Sequence, residues 1–208
     1  MEDVPQALSA LTNGLPAAPL EVCGRPDQAA VLALFGDQAD PDLVFTIRAE
    51  GLRDQPGQIS FPGGGWEPGD ADLVATALRE AQEEVGIDPA EVHLLGGLPR
   101  LSMALRGLEV APVVGWWSGR IDDALLDRRE VASVRRWRVS ELVNTSNRVM
   151  ATLPGGYHGP AWRLGPDGAD FLWGFTAGIV DRLLNLGGWN QPWDESVLCP
   201  VPARFRRD

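Results

Sequence analysis

Residues Gly63–Ile87 read GGGWEPGDADLVATALREAQEEVGI, a glycine-rich turn, a short acidic stretch and then a helix-like segment carrying Arg79, Glu80, Glu83 and Glu84. At about 100° per residue, Glu84 falls about 40° round the helix from Glu80, and Glu83 about 60° to the other side. Three carboxylates therefore crowd one face, where like charges weaken a helix. Arg79 is the only counter-charge beside them in the chain. Such a cluster makes physical sense under a divalent cation, because magnesium takes carboxylate oxygens and commonly holds substrate phosphates as well. A Glu-rich solvated surface is the competing reading.

Context weighs against that plain surface. Val74, Leu78, Ala81 and Val85 recur at spacings of four, three and four, predicting a helix over 71–85 with one buried stripe and the Glu cluster on another face. Asp70 or Asp72 is placed to cap its start and Gly86 to end it. Gly63, Gly64 and Gly65 supply backbone without side chains, so a phosphate or metal can approach main-chain atoms.

Outside this unit, Ala29–Phe35, Leu43–Arg48, Val92–Leu98, Leu108–Trp117 and 130–139 read as strands, with Glu50–Ser60 as loop and Val139–Val143 as the start of a short helix. Residues 1–26 suggest a short helix and an irregular lead-in, Leu153–Leu164 a hairpin or loop, Phe171–Leu184 an apolar helix, and Gly187–Asp208 a mostly irregular tail. Mixed strands with two main helices predict an α+β fold, an α/β/α sandwich with helices on both sides of a mixed sheet. The whole chain, 1–208, is expected to form a single domain, because no break marks a second.

The chain has 208 residues, 44% hydrophobic and 23% charged, with a net charge of −11. That charge argues against non-specific nucleic-acid binding. No run approaches the length of a membrane span, and the acidic start MEDVPQALSALTNGLP lacks the pattern of a secretory signal. Cys23 and Cys199 form no metal-spaced pair and fit a reducing, cytoplasmic setting. The sequence contains no lysine, so any phosphate contact must be an arginine fork, a backbone N–H or a metal.

The helix and its turn resemble the Nudix hydrolase superfamily, whose signature is G-x5-E-x7-R-E-U-x-E-E-x-G-U, with U a bulky apolar residue. Arg79–Ile87 matches the second half, with the small Ala81 at a U position. The first half departs: eight residues before Arg79 stands Ala71, and Asp70 takes the acidic place with one residue inserted. The coenzyme A pyrophosphatase branch carries the same insertion. It also has an upstream motif, approximately L-[LF]-T-x-R-[SA]-x3-R-x3-G-x3-F-P-G-G. Here Val44-Phe45-Thr46-Ile47-Arg48-Ala49 is followed at the same spacing by Arg53, Gly57 and Phe61-Pro62-Gly63-Gly64, with only Val44 departing. The resemblance covers about residues 28–184.

The resemblance implies a Nudix-like sandwich with a loop–helix–loop catalytic unit. It implies hydrolysis of the pyrophosphate of coenzyme A or an acyl-CoA, giving 3′,5′-ADP and 4′-phosphopantetheine or its acyl derivative, and at family level a homodimer. Glu80 and Glu84 are the expected ligands of Mg²⁺ or Mn²⁺, one helical turn apart, with Glu83 either a third ligand or the group that positions a metal-bound water, and the Gly63 carbonyl completing the site. Glu83 and Glu130 are the alternatives for the general base. Arg79 is expected to pair with Asp70 and orient the unit, and Arg48, Arg53 and the Gly64 backbone to meet phosphate. His93 and His158 are isolated and read as non-catalytic. Other readings are a pyrophosphatase of ADP-ribose, NADH or a dinucleoside polyphosphate, and a silent Nudix-fold binding module.

Overall fold

The two most apolar runs, Gln28–Gly36 (β1) and Leu108–Trp117 (β7), pair in parallel over their whole length. Their near-continuous burial is what a strand covered on both faces requires. The structure, a computed structural model, describes residues 4–16, 27–53, 55–103 and 107–206; Cys23 lies outside them. Around this pair the sheet grows antiparallel. Asp42–Arg48 (β2) joins β1, Ile59–Ser60 (β3) and Val131–Arg138 (β8) join β2, and Gly63–Gly65 (β4) lies against β1. His93–Gly97 (β5) and Leu101–Met103 (β6) join β7.

Alternation along β2 defines two faces. Leu43, Phe45 and Ile47 point into one apolar cluster with Phe35, Trp137 and Trp162. Val44 points into the other, with Leu32, Val113 and Val131. The helix Leu73–Val85 (α2) covers the second face. The helix Gly174–Leu186 (α4), with the short Ser9–Gly14 (α1), packs on the first, while Val139–Val143 (α3) follows β8 directly. The result is the expected α/β/α arrangement about a mixed sheet. No described helix is long and apolar enough to cross a membrane.

The C-terminal third is more ordered than its sequence indicates. Arg148–Thr152 (β9) and His158–Leu164 (β10) form a hairpin, Asp170–Leu172 (β11) adds to β10, and Leu198–Pro200 (β12) runs parallel to β9. The expected helix from Phe171 is therefore corrected: Phe171 and Leu172 are strand, pairing with Arg163 and Trp162, and the helix starts at Gly174. Gly174 has φ +69°, which turns the chain out of the sheet before the helix begins. Cys199, expected in an irregular tail, lies in β12 and is a free thiol.

Candidate active site

The α2 unit is built as its caps demand. The Asp72 carboxylate accepts the Ala75 N–H at 2.7 Å, and Gly86, at φ +69°, closes the other end with its N–H on the Gln82 carbonyl. The buried stripe differs from the expected one. Leu73, Ala77, Ala81 and Val85 are the buried apolar residues, whereas Val74 and Leu78 are half-buried. Turning the helix by this much carries Glu84, three residues after Ala81, onto the buried side. The expectation that the Glu cluster occupies a separate face is thus corrected: Glu84 is 5% exposed, Glu80 half-buried, and only Glu83 projects into solvent.

Arg79 is the hub that joins turn and helix. Its Nε and Nη2 grip the two Asp70 oxygens at 3.0 and 3.1 Å, Nη2 also donates to the Gly65 carbonyl at 2.9 Å, and Nη1 reaches Glu80 at 3.0 Å and Glu83 at 3.1 Å. The expected Asp70–Arg79 pair is therefore present. A residue that sequence reasoning missed secures it: buried Thr76 donates its hydroxyl to Asp70 at 2.9 Å, and the Glu67 N–H adds a further bond. A hydroxyl six residues after the acidic position, on the helix's inner face, was the available signal. The Arg79 guanidinium, foremost, holds the Asp70 carboxyl below its ordinary range, and the same pairing raises Arg79.

Glu84 lies where a carboxylate is costly. Its carboxylate accepts a hydrogen bond from the Gly63 N–H at 3.2 Å. Burial pushes its pKa up to about 8; the Gly63 N–H opposes this, the Glu80 charge reinforces it, Arg48 opposes it, and Glu130 reinforces it. Burial also raises Glu80, against the pull of Arg79 and with the repulsion of Glu83 and Glu130. These couplings place Glu80, Glu84, Glu130 and Arg48 in one electrostatic neighbourhood. Arg48 ends β2 on the α2-facing side of the sheet, opposite Val131, while Glu130 is exposed just before β8 and its carbonyl accepts the Ala49 N–H. Arg53 is exposed in the loop after β2.

The glycine turn serves the carboxylates more directly than expected. The Gly63 amide, rather than its carbonyl, is the group seen to meet Glu84. A Cβ on Gly64 would stand 2.6 Å from the Glu80 carboxyl carbon. Gly64→Ala is therefore expected to displace Glu80 and lower turnover by about 10²-fold, the scale on which ångström misplacements act. Its melting temperature should change little, because Glu80 can swing toward solvent. Steady-state kinetics beside a thermal melt checks this; unchanged turnover would show that the position of Glu80 does not matter.

Among the described residues, no group of three or more His, Cys, Asp and Glu side chains is disposed to hold a metal ion. The physical reason is visible: Nη1 of Arg79 draws Glu80 and Glu83 to itself, and Glu84 turns to the Gly63 amide. The donor chemistry nevertheless suits a hard divalent cation. Glu80 and Glu84 are oxygen donors one turn apart, both penalised by burial, and the Glu80 charge adds to the penalty on Glu84.

Comparison with known proteins agrees with this geometry. Residues 24–153, more than half of the chain, match the NUDIX domain family. The chain is 38% identical over 156 residues to the "Uncharacterized Nudix hydrolase NudL" of Enterobacter sp. (strain 638), covering 75% of this chain and 80% of that one. It is 38% identical over 165 residues to the NudL of Citrobacter koseri (strain ATCC BAA-895 / CDC 4225-83 / SGSC4696), at the same coverage. The crystal structure of DR0079 from Deinococcus radiodurans superposes with a TM-score of 0.51 at 12% identity, covering 78% of this chain and 89% of that one, a likeness of fold alone. Sequence match and site geometry converge on one conclusion: the chain belongs to the Nudix hydrolase superfamily and is a pyrophosphohydrolase of that class.

Proposed function

We propose that this enzyme hydrolyses the internal pyrophosphate of coenzyme A or an acyl-CoA, releasing 3′,5′-ADP and 4′-phosphopantetheine or its acyl derivative. The observation that carries the reading is the run Val44–Gly64, which resembles the coenzyme A branch at each fixed position but Val44. In the fold this run forms β2, β3 and β4, and its Arg48 carries a charge felt at Glu84. Motif and carboxylates therefore meet at one place.

Glu80 and Glu84 would hold Mg²⁺ or Mn²⁺, with Glu83 and the Gly63 carbonyl as further donors. A cation there supplies neutralisation of the pyrophosphate oxygens and acidifies an attacking water. Glu130 is the better-placed general base: it is exposed, and its charge reaches both Glu80 and Glu84, whereas Glu83 is held by Arg79. Arg79, through Asp70 and Gly65, keeps the turn and helix in register. Arg48 and, from its loop, Arg53 receive phosphate oxygens, as a lysine-free chain must arrange by arginine forks, backbone N–H groups or metal.

The test is incubation with coenzyme A, ADP-ribose and NADH, each with Mg²⁺ or Mn²⁺, read by chromatography. Metal-dependent 3′,5′-ADP and 4′-phosphopantetheine from coenzyme A in preference to the others is the expected result. Faster cleavage of ADP-ribose or NADH would keep the chemistry and overturn the substrate, and no cleavage of any by folded protein would sink the proposal.

A further inference from the structure

A cavity of about 520 Å³ opens on the side of β2 away from the carboxylates, within the size range of small-molecule sites. Its floor is apolar, from Ile47, Pro56 and Phe205, and its rim carries Arg135, Arg204 and Arg206. Ile47 belongs to the α4-side cluster and Arg135 pairs across from Phe45 of that cluster, which places the cavity on the reverse face. Glu50 and Asp170 are the acids in the lining. Asp170 is engaged by Arg135 at 2.9 Å. Arg204 instead donates to the Ala169 carbonyl and stacks 4.7 Å from the Phe205 ring, and Arg206 donates to the Val201 carbonyl. Three guanidinium groups against two carboxylates make a locally cationic hollow in a chain of net charge −11.

The hollow is also braced. Phe205 is buried against Phe171, so the tail that presents Arg204 and Arg206 is anchored between them. The Phe205 carbonyl accepts from Gln58 Nε2 at 3.3 Å, tying that tail to the loop between β2 and β3. Gly57 of the same loop lines the cavity, and its N–H bonds the Arg48 carbonyl at 3.0 Å. We infer that this groove between the β2–β3 loop and the C-terminal tail is a second anion site, which takes the phosphate monoester of a nucleotide and seats its uncharged body on the apolar floor. Fixed guanidinium donors suit a phosphate monoester, and their preorganisation lowers the ordering cost of binding. A bound ligand would fasten the loop that carries Arg53 and returns to Arg48. The phosphate has two sources, a free nucleotide or a terminal phosphate of the substrate itself; the second rests on the coenzyme A reading.

Binding of 3′,5′-ADP and of inorganic phosphate, measured by calorimetry in EDTA, tests the site apart from turnover. Without a cation the carboxylate cluster repels anions, so the expected result is one site for 3′,5′-ADP that weakens with salt. Arg204→Gln with Arg206→Gln should weaken it at least tenfold, and Glu84→Gln should leave it unchanged. Because the double variant could loosen the tail, Ala203→Glu serves as a second probe: it puts a carboxylate in the lining, breaks no bond, and should weaken binding as strongly. No saturable binding, or equal affinity in wild type and all these arginine and Ala203 variants, overturns the proposal. Relative turnover of coenzyme A and dephospho-coenzyme A then assigns the source. A preference for coenzyme A that disappears in the double variant marks the substrate's own phosphate, and a preference that persists while 3′,5′-ADP affinity falls marks a free nucleotide.

Discussion

Glu84→Gln should lower metal-dependent turnover by about 10³-fold or more while leaving the protein folded and, in EDTA, more stable than wild type near pH 8. The activity loss follows from removing one of two oxygen donors one turn apart; a cation's stabilisation of the transition state is worth several kcal/mol, and each ~1.4 kcal/mol is tenfold. The stability gain follows from burial. Glu84 has its pKa pushed up to about 8 by desolvation, against an ordinary carboxylate value near 4.5. Below about pH 4.5 the group is protonated in both states and costs nothing. Between about 4.5 and 8 the unfolded chain releases the proton first, so the folded state binds more protons and stability falls as pH rises. Above 8 the full penalty applies, of order a few kcal/mol. Urea unfolding in EDTA at pH 5, 7 and 8.5 should show this decline in wild type and a flatter profile in Glu84→Gln, whose amide can still accept from Gly63. A divalent cation should restore wild-type stability at the alkaline end, and below about pH 8 its binding should release the Glu84 proton. Near-normal turnover in a folded Glu84→Gln protein would remove Glu84 from the metal site, and parallel pH profiles would show that its burial carries no such cost.

Arg148→Ala should be the most damaging substitution away from the carboxylates, lowering stability by about 3–5 kcal/mol and the melting temperature by about 10 °C. Arg148 is 2% exposed, on β9. Its guanidinium lies between the rings of Trp162 and Trp193, 4.8 and 4.4 Å from their centroids, and donates to Asn190 and Asp181. One side chain thus joins the second sheet, α4 and the tail. Truncation opens a void between two indoles and takes the cation from the half-buried Asp181 carboxylate, which keeps a hydrogen bond from Asn185 at 3.2 Å. Arg148→Lys should rescue only in part, because an ammonium cannot bridge both partners while stacking flat on both rings. Differential scanning calorimetry of the three proteins decides: a fall of less than about 2 °C for Arg148→Ala would show that the tail is held by other contacts.

These two residues mark different limits of sequence reading. The glycine turn, the Asp70–Arg79 pair, the carboxylates at one-turn spacing and the cap at Gly86 are local relations, and a helix of known pitch places them without reference to the rest of the chain. Glu84's burial was less legible, because α2 carries two apolar rows one residue apart, Leu73–Ala77 and Val74–Leu78. Periodicity alone does not say which row meets the sheet, and packing against Leu32 and Val131 chose the first. Arg148 gave no signal at all: it is one arginine among many, and its partners lie far away in sequence at Trp162, Asp181, Asn190 and Trp193.

The sequence by itself determined the turn–helix unit, the strands that flank it and the family they belong to, since each is specified by spacing within a few dozen residues. Only the tertiary structure decided which carboxylate is desolvated, that Arg48 ends its strand on the helix side of the sheet, and that the tail completes a second sheet and a cationic hollow. Burial and charge proximity depend on contacts between segments far apart in the chain, and these become defined when the sheet brings those segments together.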